Sequence, residues 1–151
     1  QMYGDKGLVP LDEYLIPIGQ AKITQEGSDI TIVSYGKMLK VVKDASYELS
    51  KDNIDVEIID LRTLRPIDYN LIIQSVKKTN RLILVEESWP LGSISSEISH
   101  VIQSQAFDYL DAPITRICSA DPPMAYSPTL VEAFLPNKTQ IISKVKEALY
   151  I

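Results

Sequence analysis

The chain has 151 residues, 45% hydrophobic and 23% charged, which suits one domain around one buried core. A net charge of −5 argues against nucleic-acid binding, which needs clustered lysine and arginine. Its single cysteine, Cys118, excludes an internal disulfide, and no apolar run approaches the roughly 20 residues of a membrane span.

The chain opens Gln1-Met2-Tyr3-Gly4, with no signal-peptide pattern, and reads as a fragment of a longer polypeptide; a processed full-length protein is the alternative. Residues 1–19, punctuated by Gly4, Gly7, Pro10, Pro17 and Gly19, read as an irregular arm. A short strand is predicted over 21–25, followed by a turn at Glu26-Gly27-Ser28-Asp29. If that turn is a hairpin, the first strand lies antiparallel to the second. Residues 29–35 (DITIVSY) are apolar and β-branched on both faces, as in a strand covered by helices on both sides. After the break at Gly36, residues 37–51 place Met38, Val41, Val42, Ala45 and Leu49 at helical spacing.

A strand over 54–61 ends in charged residues and feeds a helix over 67–79 through Pro66, the joint of a βα unit, with Leu71, Ile72 and Val76 inward. Next come a strand over 81–86 and a helix over 93–107 carrying Ile94, Ile98, Val101 and Ile102 on one stripe. A final strand is expected over 114–119 and one or two helical turns over 130–134. After Pro136, a terminal helix over 139–150 turns Ile141, Ile142, Val145 and Leu149 inward. This alternation predicts a three-layer α/β/α domain with a sheet of about five strands, mostly parallel with one antiparallel strand.

Residues that could carry chemistry are few. His100, the one histidine, has no acid partner in sequence reach and reads as structural. Neither CxxC nor HxxxH occurs. Cys118 reads as a buried, inert thiol. Glu86 and Glu87 close a strand at the sheet edge where ligands bind in open α/β folds, but neighbours on a strand face opposite ways, so they form no dyad. Gly36 alone is too little for a phosphate loop. Ser93, with Ser96 or Glu97, reads as a helix cap. Arg62 and Arg65 read as partners of Asp60 and Asp68, with anion binding as the alternative. Trp89, and the stiff loop Asp121-Pro122-Pro123-Met124-Ala125-Tyr126-Ser127-Pro128, are each either a lid on the core or an interface anchor. No self-sufficient catalytic constellation emerges.

Several segments, taken in order, resemble one family. They are Ile16-Pro17-Ile18-Gly19-Gln20-Ala21-Lys22-Ile23, Ile30 through Gly36 (ITIVSYG), Asp60-Leu61-Arg62-Thr63-Leu64-Arg65-Pro66-Ile67-Asp68, Lys77-Lys78-Thr79-Asn80-Arg81, Val85-Glu86-Glu87, Trp89-Pro90, Ala106 through Pro113 (AFDYLDAP) and Asp121 through Tyr126 (DPPMAY). Together they resemble the C-terminal domain of transketolase-type thiamine diphosphate enzymes, most closely that of the β subunit of the pyruvate dehydrogenase E1 component. Met2-Tyr3-Gly4 resembles the end of a preceding pyrimidine-binding domain. Ser93 and Ser95 stand where the family usually has glycines, Ala125 where it has proline, and Val131 where it has glutamate.

The resemblance implies a domain boundary: residues 1–19 as a linker from an absent domain, residues 20–151 as a transketolase C-terminal-like domain. It implies an α2β2 enzyme that uses thiamine diphosphate and Mg2+, decarboxylates pyruvate oxidatively and passes acetyl to the E2 lipoyl group. The cofactor would lie between the α subunit and the β subunit's other domain, so this fragment alone is expected to bind none and to be inactive. Its implied role is assembly with the E1 α subunit and a second β subunit, and docking of the basic peripheral subunit-binding domain of E2; neither nucleic acid nor membrane is an expected partner. Two positions carry over as partner-binding: Asp111, in Leu-Asp-Ala-Pro, and the terminal carboxylate of Ile151. Both are acceptors for arginine and lysine, and a basic partner would relieve the unfavourable placing of a carboxylate at a helix C-terminus. For Asp111 the alternative is a cap on the turn before Pro113. The implied location is a bacterial cytoplasm, with the mitochondrial matrix as the alternative. Competing readings are the β subunit of a branched-chain 2-oxoacid or acetoin dehydrogenase, and a stand-alone α/β interaction domain.

Overall fold

The computed structural model describes residues 6–151, so the resemblance at Met2-Tyr3-Gly4 lies outside the described residues. The β-branched runs form the strands and the 3.6-spaced stripes form the helices. In chain order these are β1 Lys22–Gln25, β2 Ile30–Ser34, α1 Met38–Lys51, β3 Val56–Asp60, α2 Tyr69–Thr79, β4 Leu82–Val85, α3 Ile94–Ala106, a single 3-10 turn Phe107–Tyr109, β5 Thr115–Ile117, α4 Pro128–Phe134 and α5 Lys138–Leu149. The sheet order is β1-β3-β2-β4-β5. β2 pairs parallel with both β3 and β4, and β4 pairs parallel with β5. The five strands and the lone antiparallel one agree with the sequence reading.

The partner of that antiparallel strand does not. β1 lies against β3, with Lys22 opposite Asp60 and Ile23 opposite Ile59, so residues 26–29 are no hairpin turn. The cause is the seat of that turn. Ser28 and Asp29 both donate their amides to the Asp55 carbonyl, and Gly27 rests directly on the backbone of Val56 and Glu57. The chain therefore passes the start of β3 and enters β2 on its far side.

Alternate strand residues feed two cores. Ile30, Ile32, Ile58, Ile83 and Val85 pack with Val42, Ala45 and Leu49 of α1 and Ile141 and Val145 of α5. Val33, Ile59, Leu82 and Leu84 pack with Ile72 and Val76 of α2 and Ile98 and Ile102 of α3. The result is the three-layer arrangement that the uninterrupted apolar strands imply. The expected inward stripe of α5 is adjusted: Ala148 is buried while Ile142 and Leu149 are only partly so.

Local signals set the helix ends. Asp68 caps α2 by accepting from the Leu71 amide at 3.1 Å, and its other oxygen accepts from the Ala21 amide at 3.1 Å, which fastens the entry to β1. At α5 the Asn137 side chain accepts from the Gln140 amide and the Gln140 side chain accepts from the Asn137 amide, a reciprocal capping box. Asn137→Ala is expected to cost about 1 kcal/mol, read as a lower urea midpoint at unchanged slope.

One charged side chain is enclosed within the sheet strands, among the described residues. Glu57, near the start of β3, is 0% exposed. One of its oxygens pairs with the Lys78 ammonium, which also holds Glu26 at 2.7 Å; the other has no hydrogen-bond partner among the described residues.

Candidate functional site

The parallel strands present their carboxyl ends at one edge, where Glu86 and Glu87 follow β4. They diverge as the strand geometry requires: Glu86 is buried and Glu87 exposed. The Glu86 carboxylate accepts from the Tyr35 hydroxyl at 2.8 Å and from the Ser95 amide at 3.2 Å, with the Cys118 thiol at 3.7 Å. It thus sits at the amino end of α3, where orphan amides and the helix dipole favour a carboxylate. Burial, then the neighbouring Glu86, pushes the Tyr35 hydroxyl well above the usual tyrosine range. Burial likewise raises the Cys118 thiol, which lies one residue past β5 and is half-buried. The sequence reading placed this thiol buried within the last strand; it is instead half-buried just beyond it, and its raised pKa disfavours the nucleophilic thiolate.

Ser93 does occupy the cap position of α3, but its hydroxyl does not cap. It accepts from Arg116 Nη2 at 2.9 Å, and the Ser95 hydroxyl accepts from Arg116 Nε at 2.7 Å; Nη2 also reaches the Pro90 carbonyl. Glu86 supplies the acceptor that a capping serine would have given. The two serines that depart from the family pattern are therefore the two hydroxyls that hold Arg116.

The expected pairing of Arg62 and Arg65 with Asp60 and Asp68 is not formed. Asp60 accepts from the backbone amide of Arg62, and Asp68 is taken up by the α2 cap and by Ala21. Both carboxylates serve backbone amides, which are closer than the long arginine side chains. His100 lies on the exposed face of α3. Among the described residues no three His, Cys, Asp or Glu side chains gather as metal ligands, and no helix is long and apolar enough to cross a membrane.

At the opposite end of the sheet the structure brings the neighbourhoods of Asp111 and Ile151 together. The Asp111 amide donates to the carbonyl of Asn80, the left-handed residue closing α2. The Asp111 carbonyl accepts from the Tyr150 hydroxyl at 3.3 Å. Tyr150 closes α5 in a left-handed conformation, and Ile151 follows, 74% exposed. Arg81 joins the two segments: its Nε donates to the Ala148 carbonyl at 3.0 Å and its Nη1 stands 3.9 Å from the Asp111 carboxylate. That carboxylate is 59% exposed and accepts no backbone amide among the described residues, so it does not act as a turn cap. Sequence reasoning quoted Asn80-Arg81 but missed its part in this junction. Arg81 follows α2 but bonds the end of α5, a pairing between distant segments that no local signal announces.

The transketolase C-terminal domain family matches residues 19–141. The chain belongs to that family. It is 44% identical over 149 residues to the pyruvate dehydrogenase E1 component subunit beta of Rickettsia felis, an alignment covering 99% of this chain and 46% of that protein. It is 47% identical over 134 residues to the mitochondrial E1 component subunit beta of Dictyostelium discoideum, covering 89% and 38%. The acetoin:2,6-dichlorophenolindophenol oxidoreductase subunit beta of Bacillus subtilis is 41% identical over 147 residues, covering 97% and 43%. This transketolase C-terminal domain therefore spans less than half the length of the curated relatives it matches. Its fold is that of a split-gene transketolase, solved as an inactive β4 tetramer: the TM-score is 0.80 at 24% identity, over 97% of this chain and 46% of that one.

Proposed function

We propose that the chain is the C-terminal domain of the β subunit of a pyruvate dehydrogenase E1 component, and that it serves assembly and E2 docking while bond-making is left to the rest of the enzyme. The observation that carries the docking role is the exposed Asp111 carboxylate, whose segment is tied to the end of α5, next to the exposed Ile151 in sequence, by Arg81 and Tyr150. A basic partner domain would find an exposed carboxylate there. Exposed apolar side chains along the arm, among them Leu8, Leu11, Leu15 and Ile18, suit contact with the E1 α subunit or a second β subunit.

Thiamine diphosphate with Mg2+ would supply the decarboxylation chemistry of the whole enzyme. The described residues do not fit that group: among them no set of carboxylates converges to ligate a cation, and the buried Glu86 is engaged by Tyr35 and Ser95. We assign the cofactor to the rest of the enzyme and expect the isolated chain to be inactive. A bacterial cytoplasm is the proposed location, with the mitochondrial matrix as the alternative, since relatives come from both settings. The acetoin relative favours a second reading, in which the same domain serves a β subunit acting on a different substrate.

Titration with a recombinant E2 peripheral subunit-binding domain tests the docking role. Binding is expected to weaken with salt, and to weaken a further fivefold or so in Asp111→Ala, the upper range for one exposed ion pair. Affinity indifferent to both salt and the substitution would remove Asp111 from the interface.

A further inference from the structure

Beyond the Glu86 network, the segments that follow β4 and β5 meet the end of α4 around an open cleft of about 260 Å³. Glu87, Ser88, Trp89, Ser119, Met124 and Phe134 line it. The Ser119 amide donates to the Ser88 carbonyl at 3.1 Å, and the Ala120 amide donates to the Phe134 carbonyl at 2.9 Å, so the three walls are fastened to one another.

The lining has a definite chemistry. Trp89 is 56% exposed and Met124 45%, an apolar surface left open. Glu87 is exposed, and its carboxylate has no hydrogen-bond or ion-pair partner among the described residues. Ser119 is buried, and its hydroxyl also lacks a partner among the described residues. A buried hydroxyl without a partner is unfavourable, and an incoming donor would relieve it. The lining carries one charged group, Glu87, and no lysine or arginine; the nearby Arg116 is already engaged by Ser93, Ser95 and Pro90. The volume is below the ~300–1,000 Å³ of a typical small-molecule pocket and suits a single long side chain.

We propose that this cleft receives an arginine side chain from a basic segment of a partner chain. Its guanidinium stacks on Trp89, pairs with Glu87 and donates to the Ser119 hydroxyl. Arginine fits better than lysine because a planar, weakly hydrated cation can stack on an aromatic face and still present five donors, whereas an ammonium is a compact, strongly hydrated charge. The inference rests on reading this domain as an assembly module, but on a separate surface: Asp111 precedes β5 and the cleft follows it, so the two lie at opposite ends of that strand.

Trp89 is the sole tryptophan, so its fluorescence reports on the cleft directly. The chain is titrated with acetyl-Gly-Arg-Gly-amide and with the same tripeptide carrying lysine or the neutral isostere citrulline. The arginine peptide is expected to give a saturable change in emission, with affinity about fivefold lower in Glu87→Gln and for the citrulline peptide. Lysine should fall between, and Asp111→Ala should leave the response unchanged. The proposal is overturned if arginine gives no saturable response, if citrulline binds as well, or if Glu87→Gln binds as the parent does. Glu87 is exposed and unpaired, so its variant should fold normally, which circular dichroism checks. The E2-domain titration should respond to Asp111→Ala and not to Glu87→Gln, so either reading can fail without the other.

Discussion

Lys78→Met is expected to destabilise the chain by about 3–5 kcal/mol near neutral pH, the cost of leaving a buried charge without its counter-ion. Glu57 is wholly enclosed in β3, and Lys78 is the one cation paired with it among the described residues. The second carboxylate on Lys78, Glu26, is exposed and contributes little. A falling urea midpoint at constant slope would register the loss. Replacing both partners, as Glu57→Leu with Lys78→Met, should restore most of it, because an apolar pair of similar volume needs no desolvation of charge. If the double variant stays as unstable as Lys78→Met alone, packing rather than charge is at stake. The pair also sets an alkaline limit. Hydrogen bonds to Glu26 and Glu57 raise Lys78 from the ordinary 10.5 to about 12. A folded-state value above the unfolded one means that this stabilisation is complete below pH 10.5 and is lost as pH climbs through about 12. Lys78→Met should lack that part of the alkaline decline.

Gly27→Ala is the second substitution with a large expected effect, about 3 kcal/mol or more, from overpacking against backbone. A methyl group there would meet the Val56 carbonyl carbon at 2.2 Å, the Glu57 nitrogen at 2.3 Å and the Val56 oxygen at 2.6 Å. These are atoms of an interior strand and cannot swing aside as a side-chain tip would. The turn must lift, and the amides of Ser28 and Asp29 then leave the Asp55 carbonyl. Faster hydrogen exchange in β1 and at the start of β2 should accompany the lower midpoint. Gly7→Ala is the control, since nothing lies within 4 Å of that position. A Gly27→Ala midpoint indistinguishable from the control would contradict the contact.

Gly27 also shows where sequence reading stopped. Strands and helices were legible because their signals are local: β-branched runs for β2 and β4, a 3.6-residue stripe for α1. Pairing is not local. The hairpin expectation failed because the seat of Gly27 lies on residues 56 and 57, which no nearby residue announces. Ser93 failed in the same way: its partner, Arg116, arrives on another strand. Glu57 was open to detection, as a charge inside an apolar run with a basic helix end downstream, and was passed over. Asp111 is singled out only by family resemblance; nothing in its own residues says that Arg81 and Tyr150 converge on it. The cleft at Trp89 needed three loops to be placed before it existed at all.

The strand order has a consequence in time as well as in space. β2 is made early but occupies the centre of the sheet, and its two neighbours arrive separately. β3 completes one side soon after α1. The other side waits for β4: the bond from the Ser34 hydroxyl to the Val85 carbonyl joins residues 51 apart. While a chain lengthens from its amino end, the uncharged segment Ile30–Ser34 therefore keeps one edge bare until α2 and β4 have been added. A bare apolar edge is a template for wrong partners, and a contact that must close a long loop forms late. The same five residues that anchor the finished domain are thus its most vulnerable stretch while it is being made.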